Sequence, residues 1–231
     1  VSDTAAVREV ERLQLRAACC QRQDSRVSDV AAIEVERLQQ RAACSQRRDC
    51  HVSDTAAERE VERTIKDFVH SAHLAKAAGY DGVEIMGSEG YLINQFLVSS
   101  TNHRKDRYGG SFENRMRFPV EIIRRIRERM GDDFVIMYRL SMLDLVADGS
   151  SWDEVIQLAR AIEEAGANII NTGIGWHEAR VPTIATLVPR GGFTFVTKRL
   201  MGSVSIPLVT TNRLNMPGVC EEALEQGCAD L

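Results

Sequence analysis

Apolar and polar positions along residues 55–231 follow two patterns in turn. Short apolar runs predict strands at residues 81–87, 134–140, 167–172 and 207–211, with the start of another at 228–231. Apolar residues at three- and four-residue spacing predict helices at residues 55–78, 114–130, 152–164, 195–201 and 216–226. The first helix opens with a capping-box pattern of Thr55 and Glu58, and Gly79 follows its end.

Strand and helix alternate four times, and the predicted strands are apolar. This pattern predicts parallel βαβ units, in which helices cover the sheet. Both a (β/α)8 barrel and an open doubly wound sheet are built in this way. No G-x-G-x-x-G sequence follows any of the strands, so the open sheet lacks its dinucleotide-binding fingerprint.

Residues 1–54 carry an internal repeat of about 25 residues, with copies that begin at Val1, Val27 and Val52. Each copy opens with Ser-Asp, a helix-start signal, and continues with apolar residues at helical spacing. The pattern predicts one amphipathic helix per copy. We therefore divide the chain into a helical repeat segment, residues 1–54, and an α/β segment, residues 55–231.

The repeats have two interpretations. One is an interaction module that binds a partner, and the other is a local duplication of the segment that leads into the first α/β helix. The third copy runs without a break into Thr64, Ile65 and Phe68. Two complete copies are fewer than the three or more repeats that a solenoid needs, which favours duplication.

Composition limits the classes of partner. The chain has 231 residues, of which 44% are hydrophobic, enough for one good-sized domain. A net charge of -4 gives no reason to expect nucleic acid or a membrane surface as a partner. No apolar run approaches the roughly 20 residues that span a bilayer, and the sequence shows no secretion signal. We expect a cytoplasmic protein.

Cysteine and histidine spacing does not indicate a metal site. The six cysteines include no C-x-x-C pair, and the five histidines are scattered along the chain. His70 and His73 share a predicted helix, but no second ligand pair matches them. We expect reduced thiols and no bound metal.

Residues 81–118 join the first strand to a dense set of polar residues. Ser88, Glu89 and Tyr91 follow the strand directly, at the end where α/β barrels place their active sites. The motifs G-x-x-G-Y-L, N-Q-F-L and N-x-R-x-D-x-Y-G-G-S-x-E-N-R-x-R-F resemble those of the old yellow enzyme and NADH:flavin oxidoreductase family. Met-Gly-Ser-Glu-Gly-Tyr, Y-R-L-S-M and G-W-H-E-A-R are typical of its 2,4-dienoyl-CoA reductase branch. Other old yellow enzymes carry a histidine pair, or histidine and asparagine, where this chain has Met86 and Glu89.

The resemblance, which covers about residues 61–231, implies a (β/α)8 TIM barrel. This chain would hold about strands four to seven and the start of the eighth, preceded by the helical repeats. Half a barrel leaves two open sheet edges, so self-association through them is expected. The cysteines that hold an iron–sulfur cluster in bacterial dienoyl-CoA reductases would lie beyond residue 231, so we expect no cluster in this chain.

The resemblance also assigns catalytic residues. Tyr91 matches the family's proton donor, His177 matches the histidine that assists it, and Glu89 is placed to set the environment of Tyr91. A tyrosine with a pKa of about 10 keeps its proton at neutral pH and can act as an acid. The alternative for Tyr91 and His177 is an ordinary structural hydrogen bond.

Two arginines match cofactor-binding positions. Arg139, at the end of a strand, matches the arginine that meets the negative charge of a reduced flavin ring. Arg213 matches a residue that faces the FMN phosphate. An ion pair on the rim is the alternative for Arg139, and a helix cap or a salt bridge is the alternative for Arg213.

The resemblance implies an FMN-dependent oxidoreductase that uses NAD(P)H to reduce the C=C bond of an unsaturated acyl-CoA, such as a 2,4-dienoyl-CoA, or a related enone. The alternative is a non-catalytic interaction protein, in which the helical repeats bind a partner and the barrel segment is a remnant.

Overall fold

The computed structural model describes residues 56–181 and 183–231. The predicted repeats of residues 1–54, and Thr55 of the predicted capping box, lie outside these residues. The described elements are α1 (Glu58–Ala77), β1 (Gly82–Gly87), α2 (Leu92–Leu97), α3 (Phe112–Arg115), α4 (Arg117–Met130), β2 (Val135–Leu143), α5 (Trp152–Glu164), β3 (Ile169–Ile174), α6 (Thr194–Leu200), β4 (Leu208–Val209) and α7 (Pro217–Glu225).

The four strands form one parallel sheet in the order β1-β2-β3-β4. Each neighbouring pair is joined through a helical connection, as the alternating pattern predicts. The sheet does not close into a barrel within the described residues, so β1 and β4 are its two outermost strands. The predicted α/β class is therefore confirmed, as a partial barrel wall.

Helices cover one face of the sheet. Helix α1 packs against α4 and β1, and α5 packs against β2. Along β2, residues 136, 138, 140 and 142 are buried under these helices, while residues 137 and 139 alternate with them on the other face and are partly exposed. This alternation is the strand period of two, and it gives the sheet a packed apolar face and an open face.

The structure departs from the predicted elements at several points. Helix α1 has Ala57 as its N-cap, and Glu60 rather than Glu58 accepts the hydrogen bond of the Ala57 N–H, at 2.8 Å. The helix predicted at residues 114–130 is divided into α3 and α4. Residues 228–231 form no regular strand, although the Leu231 N–H donates to the carbonyl oxygen of Leu208 at 3.2 Å.

Helix α2 was not predicted. Its residues are almost all buried, so its sequence lacks the polar face by which an amphipathic helix is recognised. It begins with Tyr91 as its N-cap, and the turn before it contains Gly90 at a φ of 81°. A Cβ atom built on Gly90 would lie 2.9 Å from the ring of Trp176. Glycine is therefore required here both for its backbone conformation and for space.

Arg127 links three parts of the fold on the side of the sheet where the strands begin. From α4, its guanidinium donates to the carbonyl oxygens of Phe134 at 2.8 Å and of Gly166 at 2.8 and 3.0 Å. It also donates to the side-chain oxygen of Asn168, which accepts from the Ile136 N–H at 2.8 Å. Arg127 therefore satisfies carbonyl groups at the start of β2 and after α5.

We expect Arg127→Met to lower the free energy of unfolding by roughly 1–3 kcal/mol, because it leaves several of these acceptors without a donor. The control is Arg124→Met, since Arg124 is exposed and its ion pair within the described residues is with Glu121, at 3.4 Å. The control should change stability by less than about 0.5 kcal/mol. Urea unfolding measures both, and equal losses would contradict the linking role of Arg127.

A second pair of variants tests the turn before α2. Gly110 has nearly the same φ as Gly90, 84° against 81°, but a Cβ atom there would meet nothing within 4 Å. Gly110→Ala should cost only the left-handed backbone strain, roughly 1–2 kcal/mol. Gly90→Ala should cost about 1–3 kcal/mol more, because the methyl group overlaps the Trp176 ring. Urea unfolding that shows equal losses would contradict this packing.

Candidate active site

The carboxyl ends of the four parallel strands meet at one edge of the sheet, and strained backbone gathers there. Five non-glycine residues have positive φ within the described part of the chain. All of them lie in the loops that follow β1, β2 and β4: Glu89, Leu145, Asp148, Asn212 and Arg213. Residues held in sparsely populated conformations cluster at functional sites, which makes this edge the candidate site.

Tyr91 and His177 meet at this edge. They come from the loops after β1 and β3, and the Tyr91 Oη lies 2.7 Å from the His177 Nε2. Their rings form an edge contact, with centroids 5.0 Å apart and planes at 74°. Tyr91 is half-buried and His177 is exposed, so the pair lies at the surface of the site. The two residues predicted to act together are thus hydrogen-bonded across 86 positions of sequence.

Glu89 connects this pair to Arg139. Its backbone carbonyl oxygen accepts from the backbone N–H of His177 at 3.4 Å, and its side-chain Oε1 accepts from the Arg139 Nη1 at 3.4 Å. The left-handed backbone of Glu89, with a φ of 64°, directs its carbonyl and side chain to these two partners. The structure therefore places Glu89 between the predicted proton donor pair and the predicted flavin-binding cation.

Arg139 lies on the open face of the sheet with Glu84 and Asn171. Its Nε and Nη2 donate to the two carboxylate oxygens of Glu84 at 3.2 and 3.1 Å. Burial alone would lower the pKa of Arg139, but the hydrogen bonds and charges of Glu84 and Glu89 outweigh it and raise that pKa above its ordinary value. Arg139 is a permanent cation with two carboxylate partners.

Asn171 completes this group and was missed by the sequence analysis, as was Glu84. The Asn171 Nδ2 donates to Glu84 at 2.6 Å, and Asn171 is paired with Arg139 in the β-ladder. The Asn171 Oδ1 is buried and accepts no hydrogen bond within the described residues. The available signal was the charged residue Glu84 within the apolar run of β1. The strand period of two places its side chain on the face opposite the core.

Arg213 lies at the same edge, after β4. Its Nε donates to the carbonyl oxygen of Val188 at 2.8 Å, and its own carbonyl oxygen accepts from the Gly191 N–H at 3.1 Å. These bonds hold it to the loop before α6, rather than to a helix end or a carboxylate. Asn212 and Arg213 both have left-handed backbones, with φ of 66° and 64°.

Trp176 and the residues of the long motif have structural contacts. Trp176 is 9% exposed and packs against Gly90, so it supports the turn that precedes Tyr91. The side-chain amide of Asn102 donates to the carbonyl oxygens of Phe96 and Tyr108, at 2.6 and 2.8 Å. These bonds close the loop between α2 and α3.

Residues 56–181 and 183–231 hold no group of three or more His, Cys, Asp or Glu side chains that could bind a metal ion. None of the helices in these same ranges combines the length and the apolar character needed to cross a membrane.

The chain is similar in sequence to curated proteins. The chain is 40% identical over 173 residues to a metal reductase of Desulforamulus reducens, covering 75% of this chain and 26% of that protein. It is 34% identical over 191 residues to a cinnamate reductase of Clostridium sporogenes, covering 74% of this chain and 28% of that protein. The chain therefore spans about a quarter of the length of these curated relatives.

A solved structure of 2-naphthoyl-CoA reductase with 2-naphthoyl-CoA matches the fold, with a TM-score of 0.73 and 33% sequence identity. The match covers 76% of this chain and 27% of that chain. The model of the NADH:flavin oxidoreductase / NADH oxidase family matches residues 11–231. On the sequence match and the shared fold, this chain belongs to the NADH:flavin oxidoreductase / NADH oxidase family.

Proposed function

We propose that this chain carries the proton-donating side of an FMN-dependent, NAD(P)H-using reductase that acts on the C=C bond of an unsaturated acyl-CoA. We place it nearest the 2,4-dienoyl-CoA reductases and in the cytoplasm. Two similar proteins support the substrate class, because cinnamate is an unsaturated acid and 2-naphthoyl-CoA is an acyl-CoA. The predicted lack of an iron–sulfur cluster in these residues is part of the proposal.

The observation that carries the proposal is the 2.7 Å hydrogen bond between the Tyr91 Oη and the His177 Nε2. It joins two loops at the edge where α/β barrels perform their chemistry. Through Glu89, the pair is connected to the cation Arg139.

The residues of the open face fit the polar edge of a flavin ring. Such an edge presents carbonyl oxygens and an N–H group, which need a donor and an acceptor. Arg139 supplies a charged donor, and the buried Asn171 Oδ1 is an acceptor without a partner among the described residues. Arg213 would serve the phosphate group. A bound, reduced flavin would supply a hydride to the β-carbon of the substrate.

The α-carbon of the substrate needs a proton to complete the reduction, and we assign this proton to the Tyr91 hydroxyl. If the His177 Nε2 carries its proton, it donates to the Tyr91 Oη and directs the tyrosine proton toward the substrate. The same N–H then stabilises the phenolate that remains after proton transfer. The tautomer with the proton on Nε2 is therefore the productive one.

Flavin retention tests whether the residues of the open face bind the cofactor. We expect the full 231-residue chain, after incubation with FMN and desalting, to keep the visible flavin absorbance band. Arg139→Gln should weaken FMN binding roughly tenfold to a hundredfold, because it removes a charge-assisted donor. The control is Arg124→Gln, on the outer side of α4, which should bind FMN normally. Loss of the band from the unchanged protein would overturn the proposal for this chain.

Substitution of Tyr91 tests its assignment as the proton donor. Tyr91→Phe should lower kcat for dienoyl-CoA reduction about 10²- to 10⁴-fold, because it removes the acid. NAD(P)H should still reduce the bound flavin at the normal rate. The double variant Tyr91→Phe with His177→Ala should be little worse than Tyr91→Phe, since the two residues act as a unit.

The control for this experiment is Tyr80→Phe. Tyr80 is 47% exposed and precedes β1, at the opposite edge of the sheet. This variant should keep normal kcat. Rates that are unchanged in both Tyr91→Phe and His177→Ala would show the site assignment to be wrong.

A further inference from the structure

Asp144 is a buried carboxylate directly after β2, and it accepts hydrogen bonds from four groups. Its Oδ1 accepts from the Ser141 Oγ at 2.6 Å, the Trp176 Nε1 at 2.9 Å and the Asn94 Nδ2 at 3.2 Å. Its Oδ2 accepts from the Ser150 N–H at 2.7 Å. Asp144 is 4% exposed, so its charge is removed from water and depends on these donors.

One arm of this network leads to His177. Trp176 is bound twice by Asp144, through its indole N–H and through its backbone N–H, which donates to the Asp144 carbonyl oxygen at 2.9 Å. His177 is the next residue, and it is exposed. His177 therefore follows a residue whose side chain and backbone are both held by Asp144.

The other arm leads to Tyr91. Asn94 is fully buried in α2, where its Nδ2 donates to Asp144 and its Oδ1 accepts from the Gly90 N–H at 3.0 Å. Gly90 precedes Tyr91, which is the N-cap of α2. The two arms also touch each other, because the Trp176 ring lies against Gly90.

We propose that Asp144 is a positioning residue that brings the Tyr91 Oη and the His177 Nε2 together by holding Trp176 and Asn94. A carboxylate suits this task because it has no N–H of its own and can accept from all four donors at once. A neutral amide would present N–H groups to some of them. This inference rests on the proposed function of the Tyr91 and His177 pair.

The test reads the hydrogen bond itself, without flavin or substrate. In protein labelled with ¹⁵N-histidine, the chemical shift of the His177 Nε2 reports its hydrogen bonding, and His177→Gln identifies this signal among those of the five histidines. Tyr91→Phe should shift the signal in the parent protein. In an Asp144→Ala background, Tyr91→Phe should no longer shift it, because the pair is already apart.

The matched control is Ser141→Ala. Ser141 donates to the same carboxylate oxygen but belongs to neither arm. In its background, Tyr91→Phe should shift the His177 signal as in the parent protein. Loss of the shift in the control as well would mean that any disturbance of the network separates the pair, and would overturn the specific role of Asp144.

Folding is checked by far-UV circular dichroism. If Asp144→Ala does not fold, Trp176→Phe replaces it, because it removes the indole N–H and keeps an aromatic ring against Gly90. A full Tyr91→Phe shift in the folded test variant overturns the positioning role and leaves the proposed function standing. If Tyr91→Phe shifts nothing in the parent protein, the pair does not form, and both proposals fail.

Discussion

The parallel pairing of the four strands is the constraint on which the candidate site depends. Parallel strands that share one sheet bring their carboxyl ends to one edge, whatever their separation in sequence. Tyr91 and His177 follow β1 and β3, whereas Arg139 lies within β2 rather than at the strand end that the sequence predicted, and the shared ladder brings these three segments together. The non-glycine residues with positive φ lie at the same edge, whereas the turns that follow the helices at the opposite edge use glycine at positive φ. The register of β1, β2 and β3 therefore fixes the geometry of the site.

How much of this the sequence predicts depends on where the determining contacts lie. Helix α5 was predicted with its correct bounds because its signals are local, with Ser151 as N-cap and Glu154 three residues later completing the capping box. Helix α2 was missed because it is buried all round. Asp144 was missed because two of its four donors, Asn94 and Trp176, come from distant segments, and no local pattern marks such convergence.

Two charged side chains, Asp144 and Arg139, lie where an unpaired charge would lower the stability of the fold. Asp144 is buried with donors on both oxygens, and Arg139 is held between two carboxylates. Removing one partner of such a group costs more than the pair contributes, because a charge is left without compensation. Both groups therefore restrict the conformations of the edge more than they stabilise the fold. A proton donor that must meet a substrate at a fixed distance needs this kind of restriction.

The side chains at the centre of the open face are polar, which distinguishes this face from the inner layer of a closed barrel. If this face were only the inner layer of a closed barrel, bulky branched apolar side chains would be expected along it. Its centre instead holds Glu84, Arg139 and Asn171, linked to one another by hydrogen bonds. The buried Asn171 Oδ1 has no donor in the described residues, and such an acceptor is costly unless a partner arrives. A polar, planar ligand with an N–H group would satisfy that acceptor and meet the Arg139 cation with its carbonyl groups, which an apolar protein layer could not do.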